Sequence, residues 1–153
     1  MRAFSFPTLL VLILGPFFWS CSGSKSTAKT KSGVHFTSAK SMEDVLEQAA
    51  RSDKLVFVDF VTDWCLPCKM MEKDVFSDPG IASFMNEHFI NYKVDAEKGN
   101  GPLLSMVYEV QSFPTLLFVD SKGEIILRKN GAAYHTELME MARSALASTA
   151  SIP

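Results

Sequence analysis

The sequence predicts an α/β domain built on a central mixed β-sheet flanked by helices on both faces, and three observations predict it. Segments of strand character alternate along the chain with segments of helical period. One of them, 55–61, is almost continuously apolar, β-branched and aromatic, as a central strand buried on both faces must be. Near the C-terminal end, 115–119 and 124–129 flank Ser121-Lys122-Gly123, a hairpin signal. Strands linked by helices are expected to run parallel, and the hairpin adds an antiparallel edge.

The chain opens on a targeting segment. Arg2 supplies a short positive start, and Leu9 to Trp19 is an apolar run broken by Gly15-Pro16. Its length falls short of the ~20 residues that span a bilayer core. A basic start with a short apolar run reads as an export signal over residues 1–20. Residues 21–33 follow as a flexible tether. From Ser22 to Gly33 they contain no large apolar side chain and cannot bury a core. As a coil, that stretch spans about 20 Å on average, which suits a stalk between a membrane and a domain.

The domain, 34–150, takes its elements in order. Val34-His35-Phe36-Thr37 alternates and reads as a short first strand. Ser41 caps a helix whose apolar positions Met42, Val45, Leu46, Ala49 and Ala50 keep helical spacing. Strand 55–61 leads into Trp64-Cys65-Leu66-Pro67-Cys68-Lys69, and a helix carries on to about Phe76. Asp78-Pro79 restarts a short helix, with Asp as its cap and Pro in its first turn. Residues 89–94 read as a strand, 97–101 as a loop and 103–109 as a short helix. The hairpin comes next. A last helix starts near Thr136, with Leu138, Met141, Ala142, Ala145 and Leu146 on one face.

Charge is distributed unevenly. The first forty residues hold five basic side chains and no acid, whereas the remainder holds ten basic against seventeen acidic. An acidic domain lacks the basic patches that bind nucleic acid, so that class of partner is excluded. The cysteines number three, too few for a disulfide-stapled scaffold.

Two of them, Cys65 and Cys68, lie three apart where a buried strand turns into a helix. The free N–H groups at a helix start stabilise an anion, so a thiol there loses its proton more easily. Cys65 is nearest the helix start and is the expected nucleophile, with a small contribution from Lys69. Cys68 lies one turn on, on the same side and further in, shielded, where it can attack a mixed disulfide formed by Cys65. The pair therefore reads as a dithiol–disulfide exchange centre. A pair of structural cysteines or half a metal site are the alternatives. Zinc needs four ligands, and His35, His88 and His135 lack any paired spacing. A c-type haem would need His after Cys68, where Lys69 stands. No metal or other cofactor is expected.

Asp59 interrupts the apolar strand just before the motif. Burying a carboxylate is costly, and desolvation should raise its pKa. A hydrogen-bonded structural Asp at a strand end is the alternative.

The stretch Asp59-Phe60 with Trp64-Cys65-Leu66-Pro67-Cys68-Lys69 resembles the thioredoxin active site, and Phe113-Pro114-Thr115 resembles the cis-proline segment that faces it. Lys69 to Pro79, with Glu72-Lys73 and Phe76-Ser77-Asp78-Pro79, is most similar to the thioredoxin-like C-terminal domain of DsbD-type reductases and their single-domain relatives. The resemblance covers about residues 34–148. It implies a thioredoxin fold, a reversible Cys65–Cys68 disulfide and a proton relay from Asp59 to Cys68. It also implies that an extended client segment pairs with the backbone of Phe113 beside cis-Pro114, with Gly131 supplying a nearby turn. Trp64 and Leu66 would form an apolar rim for docking; packing of Trp64 under the active-site loop is the other reading. Asp63 reads as a surface charge. Two departures matter. Leu66-Pro67 replaces the usual Gly-Pro, and Asn91 stands where the resemblance expects a lysine ahead of the strand-closing Asp95, so tuning of Asp59 by that lysine is not expected.

Phe18-Trp19-Ser20-Cys21 resembles a bacterial lipoprotein cleavage box, with Phe18 in place of leucine and Trp19 in place of a small residue. It implies lipidation of Cys21; ordinary cleavage nearby is the alternative. The expected protein is then a monomeric, lipid-anchored thiol–disulfide oxidoreductase on the extracytoplasmic (periplasmic) side. Its partners would be disulfides or dithiols of extracytoplasmic proteins, with a membrane electron donor, and reduction is the favoured direction. The rival expectation is a redox-inert binding or chaperone-like lipoprotein that keeps the fold as a scaffold.

Overall fold

The computed structural model of the chain describes residues 33–150. Their order is α1 (Met42–Ser52), β1 (Leu55–Val61), α2 (Leu66–Met70), α3 (Pro79–His88), β2 (Phe89–Asp95), α4 (Gly101–Val107), β3 (Thr115–Val119), β4 (Ile125–Asn130) and α5 (His135–Ala150). Local chemistry sets the boundaries. Ser41 caps α1 by accepting from the Asp44 amide at 3.1 Å, and the Asp78 carboxylate caps α3 by accepting from Gly80 and Ile81 at 2.8 and 2.9 Å. Past Met70 the helix widens into a π-helical turn, Met71–Val75, and Phe76 N–H bonds the Met71 carbonyl. Met71, Val75 and Phe76 are all buried there.

The four strands form one sheet in the order β2-β1-β3-β4. β1 runs parallel to β2 and antiparallel to β3, and β3 is antiparallel to β4. The parallel rule for helix-linked strands therefore fails once, because β3 follows α4 yet runs against β1 and β2. A seven-residue helix rises about 10 Å, whereas seven-residue β2 spans about 23 Å. α4 alone therefore covers less than half the length of the sheet, and the chain re-enters from the end it left. The first expected strand also shrinks, to a single parallel bridge between Phe36 and Asn91.

Alternation along β1 sorts the core. Leu55 and Phe57 pack with Met71, Val75, Ile81, Met85 and the α5 residues Leu138, Ala142 and Ala145. Val56, Val58 and Phe60 pack on the other face with Met42, Val45 and Ala49 of α1 and with Tyr92, Val94 and Tyr108. Helices thus cover both faces. Asp59 shares the parity of Leu55 and Phe57, so it lies on the face covered by α2, the π-helical turn, α3 and α5.

Candidate active site

The carboxyl end of β1 delivers the cysteines to the start of α2. Cys65 is the N-cap residue in extended conformation, and its Sγ accepts from the Cys68 amide at 3.2 Å. An anion at that sulfur would meet a helix-start N–H directly. Pro67 falls in the first turn, where no N–H bond is lost. Cys65 and Cys68 are joined in a disulfide with Cα atoms 5.4 Å apart. Exposure does not separate them as expected. Both are buried, Cys65 at 2% and Cys68 at 7%, because the residues flanking Cys65 carry the exposed surface instead.

Asp59 is 2% exposed, and its Oδ1 has no hydrogen-bond partner among the described residues. Desolvation dominates and pushes its pKa up to about 7. Lys93 pulls it down and Glu72 pushes it further up. The lysine is a correction to the sequence reading. Asn91 does stand at the expected position, but its amide donates to the His35 carbonyl at 3.3 Å and to the Asn86 side chain at 3.2 Å, a structural pin. Lys93, two residues on, is the strand partner of Asp59. Its ammonium sits 3.2 Å from the Glu72 carboxylate and 4.6 Å from the centre of the Phe36 ring. Parallel pairing places the two side chains on one face of the sheet.

Phe113-Pro114 is a cis peptide, and the Gly131 amide donates to the Pro114 carbonyl at 2.7 Å. Gly131 holds φ +92°, a conformation that favours glycine. Trp64 and Leu66 are 65% and 66% exposed, so Trp64 is not packed under the loop. Its indole meets the Phe113 ring edge-on at 5.9 Å and donates from Nε1 to Glu97 Oε1 at 3.0 Å. Asp63 is paired: Lys98 Nζ lies 2.5 Å from it and 2.8 Å from Asp95.

Glu72, Lys93, Glu97 and Lys98 were not singled out for these contacts from sequence. Glu72 had a usable signal, since it follows Cys68 by one helical turn. Lys93 and Glu97 had none, because strand register and a 33-residue contact bring them in. Cys21 lies outside the described residues. Among the described residues, no helix is long and apolar enough to cross a membrane.

Two buried cysteines joined at a helix cap, at the end of a strand that carries a buried carboxylate of raised pKa, can take up and release two electrons as a dithiol–disulfide couple. A family model for the thioredoxin-like domain matches residues 42–145. The chain is 30% identical over 104 residues to the thiol:disulfide interchange protein DsbD of Escherichia coli, a match that covers 67% of this chain and 18% of that one. The chain thus spans under a fifth of the length of that relative. A candidate disulphide-isomerase from Bacteroides thetaiotaomicron superposes with TM-score 0.68 at 42% identity, covering 76% of this chain and 96% of that one. The oxidised C-terminal domain of Neisseria meningitidis DsbD superposes with TM-score 0.59 at 23% identity, over 73% and 99% of the two chains, a likeness of fold.

Proposed function

This chain belongs to the family of thioredoxin-like domains, and from that premise we propose that it is an exported, membrane-tethered thiol–disulfide oxidoreductase that reduces disulfides of extracytoplasmic proteins. The observation that carries the chemistry is the Cys65–Cys68 disulfide at the start of α2, which follows the strand that carries buried Asp59.

In the reducing direction the Cys65 thiolate attacks one sulfur of a client disulfide. A mixed disulfide forms and the client's other sulfur leaves as a thiolate. Asp59, with a pKa of about 7, takes the Cys68 proton, and the Cys68 thiolate then attacks the Cys65 sulfur. The client departs with two thiols and the chain keeps the disulfide. A dithiol donor must return the two electrons, and in an oxidising compartment the source we assign is a membrane electron carrier. The likeness to the thiol:disulfide interchange protein DsbD supports exchange; the reducing direction is our assignment, on the resemblance of 69–79 to DsbD-type reductases.

Trp64, Leu66 and the Phe113-Pro114 backbone form the docking rim in this reading. Export rests on residues 1–20, anchoring on lipidation of Cys21, and reach on the tether 21–33; domain 34–150 does the chemistry. Insulin reduction tests it. Catalytic amounts of the chain should accelerate the dithiothreitol-driven precipitation of insulin. A folded chain giving no acceleration over dithiothreitol alone leaves the redox-inert scaffold in its place.

A further inference from the structure

Trp64 is an exposed aromatic side chain with both ends of its indole held. Nε1 donates to Glu97 at 3.0 Å, and the ring meets Phe113, next to cis-Pro114, at 5.9 Å. An exposed tryptophan without anchors samples several rotamers on a nanosecond timescale. Here the indole spans two loops, one following β2 and one preceding β3.

The loop that presents Glu97 is itself fixed. The Glu97 amide donates to the Asp95 carboxylate at 3.0 Å, and the Ala96 amide to the Val61 carbonyl at 2.8 Å. Lys98 bridges Asp95 and Asp63, the residue before Trp64. Its pKa is raised by the hydrogen bonds to these two carboxylates, so it stays charged at neutral pH. Glu97 therefore offers its carboxylate from a fixed backbone.

We propose that Glu97 is a positioning residue for client recognition: it holds the Trp64 indole as a fixed wall between its own loop and the cis-proline segment. The inference rests on the reading above that Trp64 belongs to the docking rim. Its consequence is a substrate class. The indole N–H is spent on Glu97, so the surface left for a client is apolar. The site then favours disulfides whose cysteine is flanked by an aromatic or aliphatic side chain, which gains contact with a wall that needs no ordering on binding.

The test uses the full chain with Trp19→Phe, which leaves Trp64 as its one tryptophan. Two peptide disulfides, identical except for Phe or Ser beside the cysteine, serve as substrates. The parent should prefer the Phe peptide through KM. Glu97→Ala should raise KM for that peptide about two- to tenfold, the range one hydrogen bond carries, with kcat held. It should also lower the fluorescence anisotropy of Trp64. Glu97→Gln, whose amide oxygen can accept the indole N–H, should restore both. Unchanged KM and anisotropy in Glu97→Ala overturn the inference. So does a drop in kcat equal for both peptides, which would place Glu97 in the thiol chemistry. A parent chain inert towards both peptides sinks the functional reading and this inference together, whereas an active parent with an unaltered Glu97→Ala sinks this inference alone.

Discussion

Asp59 and Lys93 are register partners across the β1–β2 ladder, and the Lys93 ammonium pairs with Glu72 at 3.2 Å. Three charged groups from two strands and the π-helical turn thus meet at the cysteine end of the sheet. Burial keeps Asp59 near neutrality in pKa, and the two neighbours pull it in opposite directions.

The two neighbours predict opposite shifts. Lys93→Met removes the pull that lowers the Asp59 pKa and leaves Glu72 uncompensated, so the pKa rises above about 7. Less carboxylate is then ionised at pH 7, and resolution of the mixed disulfide slows there and recovers in more alkaline solution. Each unit of upward shift costs about tenfold in ionised fraction below the midpoint. Glu72→Gln shifts the profile towards acid. Single-turnover release of a trapped thiol against pH measures both, and shifts of the same sign in the two variants would remove Asp59 from the resolving step.

Stability follows the same carboxylate. Its folded pKa is raised above the unfolded value near 3.8, so below that value Asp59 is neutral in both states and no penalty exists. As pH rises from about 4 to about 7 the unfolded state releases its proton first, and stability is lost through that window. Above it the full penalty stands. Asp59→Asn removes the penalty, so it should stabilise the oxidised domain by ~2–4 kcal/mol at pH 8 and by nearly nothing at pH 4. Urea unfolding at the two pH values checks this; an equal effect at both would assign the change to packing.

Gly101 opens α4 against the Asp95 carbonyl so closely that a Cβ would lie 1.8 Å from that oxygen. Backbone cannot yield as a side-chain tip can. Gly101→Ala should destabilise by about 1–3 kcal/mol. It should also displace the loop that carries Glu97 and Lys98. Thermal unfolding together with Trp64 emission reads both effects, and a wild-type melting temperature would refute the close approach.

How much of this was legible in the sequence depends on the distance over which each feature acts. Cys65, Cys68, Pro67 and Asp59 lie within ten residues, so their arrangement follows from one strand, one cap and one helical turn. Strand β1 and the hairpin carried their own patterns. The cis bond at Pro114 was reached through resemblance, not through any local signal. The influence of Lys93 needs the β1–β2 register, which no pattern in either strand encodes alone. The reversed direction of β3 is set by the end of the sheet at which the chain re-enters after α4, which no local pattern in β3 encodes. Trp64 lies exposed, as the rim reading expects and not under the loop, but its partners Phe113 and Glu97 stand too far along the chain for any local pattern to reveal them. The segment before α1 has strand-like alternation but joins the sheet through one bridge, to Asn91, while its Val34 and His35 amides donate to Phe76 and Asn86 instead.

Anchoring and chemistry should separate. Cys21 lies in a segment rich in Ser, Lys and Gly at its C-terminal side, and the cysteines of the domain stand more than forty residues further on. Cys21→Ser should move the protein from the membrane pellet to the soluble fraction while insulin reduction in vitro stays at the parent rate. Retention in the pellet would mean that the apolar run 9–19 stays attached or that a membrane protein holds the domain.

The last prediction concerns capture. Attack by Cys65 leaves the client bound until Cys68 resolves it, so Cys68→Ser should stall as a mixed disulfide while Cys65→Ser captures nothing through this site. Both cysteines are buried in the oxidised chain, so the client must reach them over the rim of Trp64 and Leu66. An apolar rim beside a strand start binds extended segments through backbone and surface contact more than through sequence. Several clients should therefore be trapped, all of them exported, plus one membrane protein that supplies electrons. Non-reducing gels of cells expressing Cys68→Ser, followed by mass spectrometry of the adducts, read this out. Adducts confined to cytoplasmic proteins would refute export of the domain. A folded, exported Cys68→Ser chain without any adduct would refute exchange through Cys65 itself.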